Sequence, residues 1–483
     1  MNSWTFDLSS FDDTWKFVVQ IGLLLLFLLL GNTIRRVVPF LRKAFIPSAL
    51  IGGLLLFGVN LAIKAICASV QGVAFSDYNG WVLVDQRIMQ VITFHMLAIG
   101  FIAMTLKIVD KDKKTSALAS IQNGALTGGT YMLQAVVGLT ISLIFFYVAS
   151  DKFFYDAGII LPLGYGQGPG NALIWDQNFT AMDNNFNGQG SFGLTIASIG
   201  FIVASIVGVI YINIFKHKNQ IVDRHATFSR KIEDFESNNE IEDSESVDKF
   251  SIQVAFVAVA YAIAFGIMVF FAKLTDWTGV GLFNSVAWGF NFIWGVIAAT
   301  IVKSIVKLLK KKNVTKRKYI NNYQMDRISG FAFDLMIIAG VAAIDIQVVA
   351  QYAWLIIALC LVGTAVTVVY VKFMTKICFK GFEHESFLLN YGTLTGTASN
   401  GMILLREVDP NFETPAANVY IISQFPAMVF VAPLLLLLNM GAESLTKCYI
   451  TLAIFGGLFI LYTTFLVLSG KGILFKKRIK ANE

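Results

Sequence analysis

The sequence predicts an all-α polytopic membrane protein with two inverted-topology repeats, each of five transmembrane helices and a re-entrant hairpin, plus one C-terminal helix. The 483-residue chain is 56% hydrophobic and only 14% charged, whereas a soluble domain has about 25% charged residues. Uncharged apolar runs recur, most clearly at 250–272, and exceed the roughly 20 residues that cross a bilayer. Two polar, glycine-rich segments, at 164–172 and 392–401, interrupt these runs at matching points of the two halves.

Eleven apolar segments are predicted to span the membrane. Those of the first half are 17–34, 46–68, 88–107, 116–149 and 190–215, with a hairpin at 157–182. Those of the second half are 250–272, 283–308, 328–346, 352–376 and 415–438, with a hairpin at 384–410. A final span covers 448–469. The predicted domains are a first repeat (1–215), a linker (216–249), a second repeat (250–440) and a C-terminal span with a basic tail (441–483).

The distribution of basic residues predicts the orientation. With the N-terminus outside, 31 of the 38 lysines and arginines fall in cytoplasmic loops and six fall outside, as the positive-inside rule requires. The linker carries nine acidic and six basic residues and no apolar run, which indicates a flexible cytoplasmic connection. The acidic N-terminus has no basic region typical of a signal peptide. We therefore expect a multi-pass plasma-membrane protein with a cytoplasmic C-terminus, and the net charge of +7 does not indicate nucleic-acid binding.

The same scheme makes the two halves antiparallel in the membrane. The stretch that begins at Gln86 resembles the stretch that begins at Asp326, so that Arg87 matches Arg327 at an offset of 240. Inverted repeats with paired, glycine-interrupted hydrophobic segments are typical of secondary transporters, in which the breaks lie at the substrate site.

The first break reads GYGQGPGNA. Its candidate substrate-binding residues are Gly166, Gln167, Gly168, Gly170 and Asn171. Glycine lets the backbone approach a ligand closely, and proline blocks a continued helix. We expect Asn171 to cap a second half-helix, whose free N–H groups suit a carboxylate. The alternative is a glycine-rich packing turn.

The second break reads GTLTGTASNG and is rich in hydroxyls. Its candidate substrate-binding residues are Thr395, Thr397, Ser399 and Asn400, followed by Arg406. Hydroxyl oxygens suit either sodium or a carboxylate, and the alternative is hydrogen bonding back to helix carbonyls. Arg406 is a candidate clamp for a substrate carboxylate, or else it reaches the cytoplasmic surface or pairs with Glu407 or Asp409.

Two ionisable residues lie inside apolar spans, where such residues are functional candidates. Asp334 is a candidate for sodium or proton binding and His95 for proton binding; the alternative for both is a hydrogen bond between helices. The four cysteines show no metal or disulfide spacing. No enzyme motif occurs, so no catalytic residue and no cofactor is predicted.

The chain resembles the sodium/glutamate symporter family over most of its length. The resemblance rests on the two five-span repeats, the central linker, the paired hairpins, and Ile46-Pro47 followed by Gly52-Gly53. Gln167 and Pro169 stand where better-known members have His and Thr. The resemblance implies a sodium-coupled carrier that forms homodimers and moves its hairpins in an elevator-like shift, with spans 46–68 and 283–308 in the scaffold. The 2-hydroxycarboxylate carriers share a related plan.

The resulting expectation is a sodium-coupled symporter of glutamate or a similar small carboxylate, in contact with membrane lipid and with Na⁺ as the coupling ion. The residues predicted to bind sodium are Asn171, Thr395, Asn400 and Asp334. Two alternatives stay open: an organic-acid carrier or exchanger of the same fold, including a proton-coupled one, and a membrane receptor or structural protein that does not transport.

Overall fold

The described part of the chain consists of helices joined by turns and short loops. The computed structural model describes residues 11–78, 80, 82–108, 116–148, 153–182, 186–217, 248–278, 287–288, 291–312, 319–409 and 413–473. Within these ranges no strand occurs. Most of the predicted linker, 218–247, and the basic tail, 474–483, lie outside the described residues.

The helices follow the predicted spans within the described residues; positions 283–286, 289 and 290 of the predicted span 283–308 lie outside them. Those of the first half are α1 Phe11–Val37, α2 Pro39–Lys43, α3 Ser48–Gln71, α4 Gln86–Leu106, α5 Ala117–Val148, α6 Ile160–Pro162, α7 Pro169–Met182 and α8 Ser191–His217. Those of the second half are α9 Lys249–Thr278, α10 Asn291–Lys311, α11 Asn322–Ala342, α12 Ile346–Gln351, α13 Ala353–Cys378, α14 Glu383–Thr395, α15 Ala398–Val408, α16 Ala416–Glu443 and α17 Leu445–Gly470.

Ten of the described helices are long and apolar enough to cross a membrane, which makes this a multi-pass membrane protein. They are α1, α3, α4, α5, α8, α9, α10, α13, α16 and α17. The remaining predicted span, 328–346, corresponds to α11. This helix carries Asp326, Arg327 and Asp334 within 21 residues and is not among the ten. Its membrane crossing stays a prediction.

The described helices form two compact units, each drawing on both halves of the sequence. The first unit contains α1, α3, α4, α9, α10 and α11. The second unit contains α2, α5 to α8 and α12 to α17. Three long helices of each half therefore belong to the first unit, whereas the helices on either side of each break belong to the second.

Matched glutamines organise the first unit. Gln20 in α1 donates to the carbonyl of Leu83 (2.8 Å) and accepts from the N–H of Asp85 (3.2 Å), just before α4 begins. In the second half, Gln253 in α9 does the same just before α11. It donates to the carbonyl of Tyr319 (2.8 Å) and accepts from the N–H of Asn321 (3.0 Å).

The residue whose N–H donates to each glutamine also caps the helix that follows. The Asp85 carboxylate accepts from the N–H of Ile88, and the Asn321 side chain accepts from the N–H of Gln324. Such caps satisfy N–H groups that have no partner within the helix. The same device therefore fixes the start of the third long helix in each half.

The helix pairs of the first unit also match across the halves. A Cβ atom at Gly53 in α3 would lie 3.2 Å from the Ile338 carbonyl oxygen in α11. A Cβ atom at Gly295 in α10 would lie 3.7 Å from the Ala98 carbonyl oxygen in α4. Positions 98 and 338 differ by 240, the offset of the sequence resemblance.

Helix α5 is the centre of the second unit. It packs against α13, α16 and α17. In its C-terminal half, Gly138 meets the Gly158 backbone so closely that a Cβ atom on either residue would overlap the carbonyl of the other. Only glycine permits this approach, which holds the start of the first hairpin against α5.

We predict that Gly138→Ala lowers the melting temperature of the purified protein. The neighbouring atoms are backbone and cannot swing aside, so we expect a loss of about 1–3 kcal/mol in the free energy of unfolding. Gly456→Ala is the matched control, because a Cβ at this α17 position meets nothing within 4 Å. Equal melting temperatures for Gly138→Ala and wild type would contradict the close packing.

Candidate functional site

The first break separates two short helices of the second unit. A π-helical turn at Leu163–Gln167 ends at Gly168, whose φ of 83° and ψ of −177° belong to a region essentially restricted to glycine. Helix α7 then begins at Pro169. The expectation that Asn171 caps this helix is wrong: proline suits the first helical position because its fixed φ fits and its missing N–H would have no partner there. Asn171 instead lies inside the first turn.

The second break separates α14 from α15. Helix α14 ends at Thr395, and α15 begins at Ala398 with Thr397 at its N-cap position. Gly392 and Gly401 face each other, since a Cβ at Gly392 would lie 2.7 Å from the Gly401 Cα. The two arms therefore pack closely, and these two glycines serve the packing of the hairpin.

Helix α5 contacts both breaks from positions one turn apart. The Tyr131 hydroxyl donates to the Gly166 carbonyl at 2.6 Å. Three residues further along, Gln134 Nε2 donates to the Leu394 carbonyl at 3.0 Å and to Thr367 Oγ1 at 2.9 Å. Residues three apart share a helix face. The structure thus brings together two segments more than 200 residues apart in sequence.

Each break carries a buried asparagine with an unpartnered amide atom. Asn171 is 1% exposed; its Nδ2 donates to Gln167 Oε1 at 2.7 Å, and its Oδ1 has no hydrogen-bond partner. Asn400 is 4% exposed and its Nδ2 has no partner. Gln134 Oε1 on α5 is likewise buried and unpartnered. A buried polar group without a partner costs about 1–3 kcal/mol, so these atoms are suited to a polar ligand.

The other predicted residues lie around these asparagines. Gly166, Gln167, Thr397 and Ser399 are half-buried, whereas Gly168, Gly170 and Thr395 are buried. The Thr395 hydroxyl donates to the Tyr391 carbonyl one turn back, at 2.7 Å. The alternative interpretation of back-bonding therefore applies to Thr395, although its oxygen can still accept or ligate.

The electrostatics of the breaks come from helix ends. The predicted ligand-binding residues at the two breaks carry no formal charge, but α7 and α15 both begin there. A helix N-terminus carries partial positive charge and free N–H groups, which favour anions. Arg406 is exposed in the last turn of α15, at the opposite end from the break.

The two ionisable candidates belong to the first unit. Asp334 lies on an exposed face of α11. His95 lies on α4, with its Nδ1 2.6 Å from the Tyr261 hydroxyl on α9. For His95 the structure thus has the hydrogen bond between helices that was the alternative interpretation. Neither residue shares a compact unit with Asn171 and Asn400.

Sequence reasoning missed a buried amide chain behind the second break. Asn390 on α14 donates to Asn123 Oδ1 on α5 at 2.8 Å, and Asn123 donates to Ser423 on α16 at 2.8 Å. All three are buried. The available signal was the presence of three amide side chains, Gln122, Asn123 and Gln134, in the uncharged 32-residue helix α5.

Asp176 on α7 holds the start of α8. It is fully buried, and its Oδ2 accepts from the Gly193 N–H at 2.8 Å.

We predict that Asp176→Asn lowers the melting temperature, because a hydrogen bond to a charged group contributes about 1.5–3 kcal/mol. The check is thermal unfolding beside Asp345→Asn, a half-buried cap of the short helix α12, which should cost less. An equal or smaller loss for Asp176→Asn would contradict this role.

No protein-family model matches the chain, and a search of curated proteins finds no significant match.

Proposed function

We propose that this protein is a sodium-coupled secondary transporter, a symporter of glutamate or a similar small carboxylate. The observation that carries the proposal is the meeting of two helix breaks at one face of α5, each with a buried amide atom that lacks a partner. Non-helical backbone at membrane depth is tolerated where it lines a cavity. Such paired breaks form the substrate sites of many transporters.

The chemistry of the breaks favours a small anion with further polar groups. The N-termini of α7 and α15 attract a carboxylate, and the amides of Asn171 and Asn400 supply neutral polar contacts. Thr395 and the same two asparagines are the sodium ligands we propose, because a hard cation prefers oxygen. The assignment of Asp334 to sodium stays a prediction, since this residue belongs to the first unit.

Recurring contacts support an arrangement of two inverted repeats. Gln20 and Gln253 make the same pair of backbone hydrogen bonds in the two halves. Both halves contribute three long helices to the first unit and a broken hairpin to the second. In this proposal the hairpins are re-entrant and α17 is added after the second repeat.

The division into units fits an elevator-type mechanism. Helices α3 and α10 correspond to spans 46–68 and 283–308, which the family resemblance assigns to the scaffold. Both helices belong to the first unit, and both breaks belong to the second. We propose that the second unit carries the ligand, that the first unit forms a homodimeric scaffold, and that the protein lies in the plasma membrane with its C-terminus inside.

Uptake by proteoliposomes tests the proposal directly. Labelled glutamate and a panel of di- and hydroxycarboxylates are offered with an inward sodium gradient, a proton gradient, or neither. We expect accumulation of at least one carboxylate only with the sodium gradient. Uptake driven by protons alone, or counterflow without any ion gradient, would favour the organic-acid carrier or exchanger. If no carboxylate is taken up in any condition, the transport proposal is wrong.

A further inference from the structure

Asp156 is a fully buried carboxylate that the proposed transport site does not use. It lies in the second unit, immediately before the 3₁₀ turn Ala157–Ile159 that begins the first hairpin. Its side chain is 0% exposed. Oδ1 lies 3.6 Å from Cys448 Sγ on α17, and Oδ2 has no hydrogen-bond partner.

A second unpartnered oxygen lies on the helix that Asp156 contacts. Thr451 is 0% exposed, and its hydroxyl has no hydrogen-bond partner. It follows Cys448 by three residues on α17, and residues at this spacing share a helix face. On α16, Gly441 borders the carboxylate so closely that a Cβ atom there would lie 2.5 Å from Asp156 Oδ1. The carboxylate thus lies against two other helices of its own unit, α16 and α17.

An ionised carboxylate without a partner is very unfavourable away from water, so buried charges are paired or bind a cation. Among the described residues, no lysine, arginine or histidine forms an ion pair with Asp156. Carboxylate and hydroxyl oxygens are ligands of hard cations. One carboxylate balances one positive charge, which favours a monovalent over a divalent ion.

We propose that Asp156 and Thr451 bind a small monovalent cation, tested as Na⁺, between the start of the first hairpin and α17. This site is distinct from the helix breaks, because Asp156 borders Cys448 on α17 and Gly441 on α16, whereas the breaks contact Tyr131 and Gln134 on α5. The proposal does not depend on which substrate is carried. A cation there links the C-terminal helix, which lies outside both repeats, to the hairpin that carries Asn171.

Thermal unfolding of the purified full-length chain tests this site without substrate. NaCl replaces choline chloride at constant ionic strength, and the melting temperature is followed for wild type, Asp156→Asn and Thr451→Val. A cation that binds only the folded state raises the melting temperature. We expect Asp156→Asn to melt above wild type without Na⁺, because the buried charge is gone. In both variants, any remaining rise in melting temperature should need at least tenfold more Na⁺ than in wild type.

Two further variants separate this site from other causes. Asp176→Asn removes a buried charge whose oxygen is already bonded, so it should lower the melting temperature at every Na⁺ concentration and leave the Na⁺ midpoint unchanged. Asn400→Ala, at the second break, should retain the part of the Na⁺ response that depends on Asp156.

Three results would overturn the proposal. One is an unchanged Na⁺ midpoint in both Asp156→Asn and Thr451→Val. Another is a midpoint that shifts equally in Asp176→Asn. The third is a melting temperature that responds to pH through Asp156 but not to Na⁺, which would identify a proton site. These experiments measure the melting temperature and not transport. The protein can therefore bind Na⁺ at Asp156 without sodium-driven uptake, and it can show sodium-driven uptake without this site.

Discussion

Replacing Asn400 with alanine is expected to weaken ligand binding by about 10- to 100-fold without lowering the melting temperature of the ligand-free protein. Asn400 is buried and its Nδ2 has no protein partner. A hydrogen bond to a ligand at such an atom contributes about 1–3 kcal/mol, and 1.4 kcal/mol is tenfold in affinity. Alanine removes the desolvation cost of the unpartnered Nδ2 and loses only one long hydrogen bond, which Asn400 Oδ1 accepts from the Thr397 hydroxyl at 3.4 Å, so the free protein should hold its stability.

The measurement is a thermal shift with the best carboxylate from the uptake panel, in the presence of Na⁺. Asn123→Ala is the matched control, because both amide atoms of Asn123 are bonded within the protein, to Ser423 and Asn390. It should lower the melting temperature of the free protein. If Asn400→Ala destabilises the free protein as much as Asn123→Ala does and binds ligand normally, Asn400 is a structural residue.

Replacing Gly168 with alanine is expected to reduce both ligand affinity and stability. The φ of 83° with ψ near 180° is a combination that costs a residue with a Cβ about 1–3 kcal/mol. The chain can relieve this strain only by moving the start of α7, which carries Asn171. Uptake should fall more than tenfold, and the melting temperature of the free protein should fall as well.

Gly330→Ala is the control for Gly168→Ala. Gly330 lies inside α11 with nothing within 4 Å of the position of a Cβ atom, so alanine there should be neutral or slightly stabilising. The two main predictions also differ from each other: Asn400→Ala should lose binding alone, whereas Gly168→Ala should lose binding and stability together. Wild-type uptake by Gly168→Ala would show that the first break does not form the site.

The hairpins were predictable because local chemistry sets them. Gly168 and Pro169 interrupt any helix, and the structure has its break there. The sequence located this break but misjudged the start of α7, since asparagine is a good cap and proline at the first helical position outweighs it. The charge count likewise predicts the orientation in the membrane, because the positive-inside rule depends on loop composition alone.

Long-range partners were not predictable from local pattern. Helix periodicity gives Tyr131 and Gln134 a common face of α5, but not the carbonyls they meet in two distant segments. Asp156 and Thr451 are nearly 300 residues apart, and no sequence motif relates them. Their common neighbour, Cys448, becomes informative only once α17 packs beside the first hairpin.

The sequence by itself determined the membrane class, the helices and both breaks, because hydrophobicity, charge, glycine and proline act over a few residues. The tertiary structure decided which helices form each unit and that the breaks meet at α5. It also decided that Asp334 belongs to the unit without the breaks and that Asp156 is buried with one carboxylate oxygen unpartnered. These outcomes depend on packing between segments far apart in sequence, where burial and hydrogen bonding are settled jointly by residues that no local pattern relates.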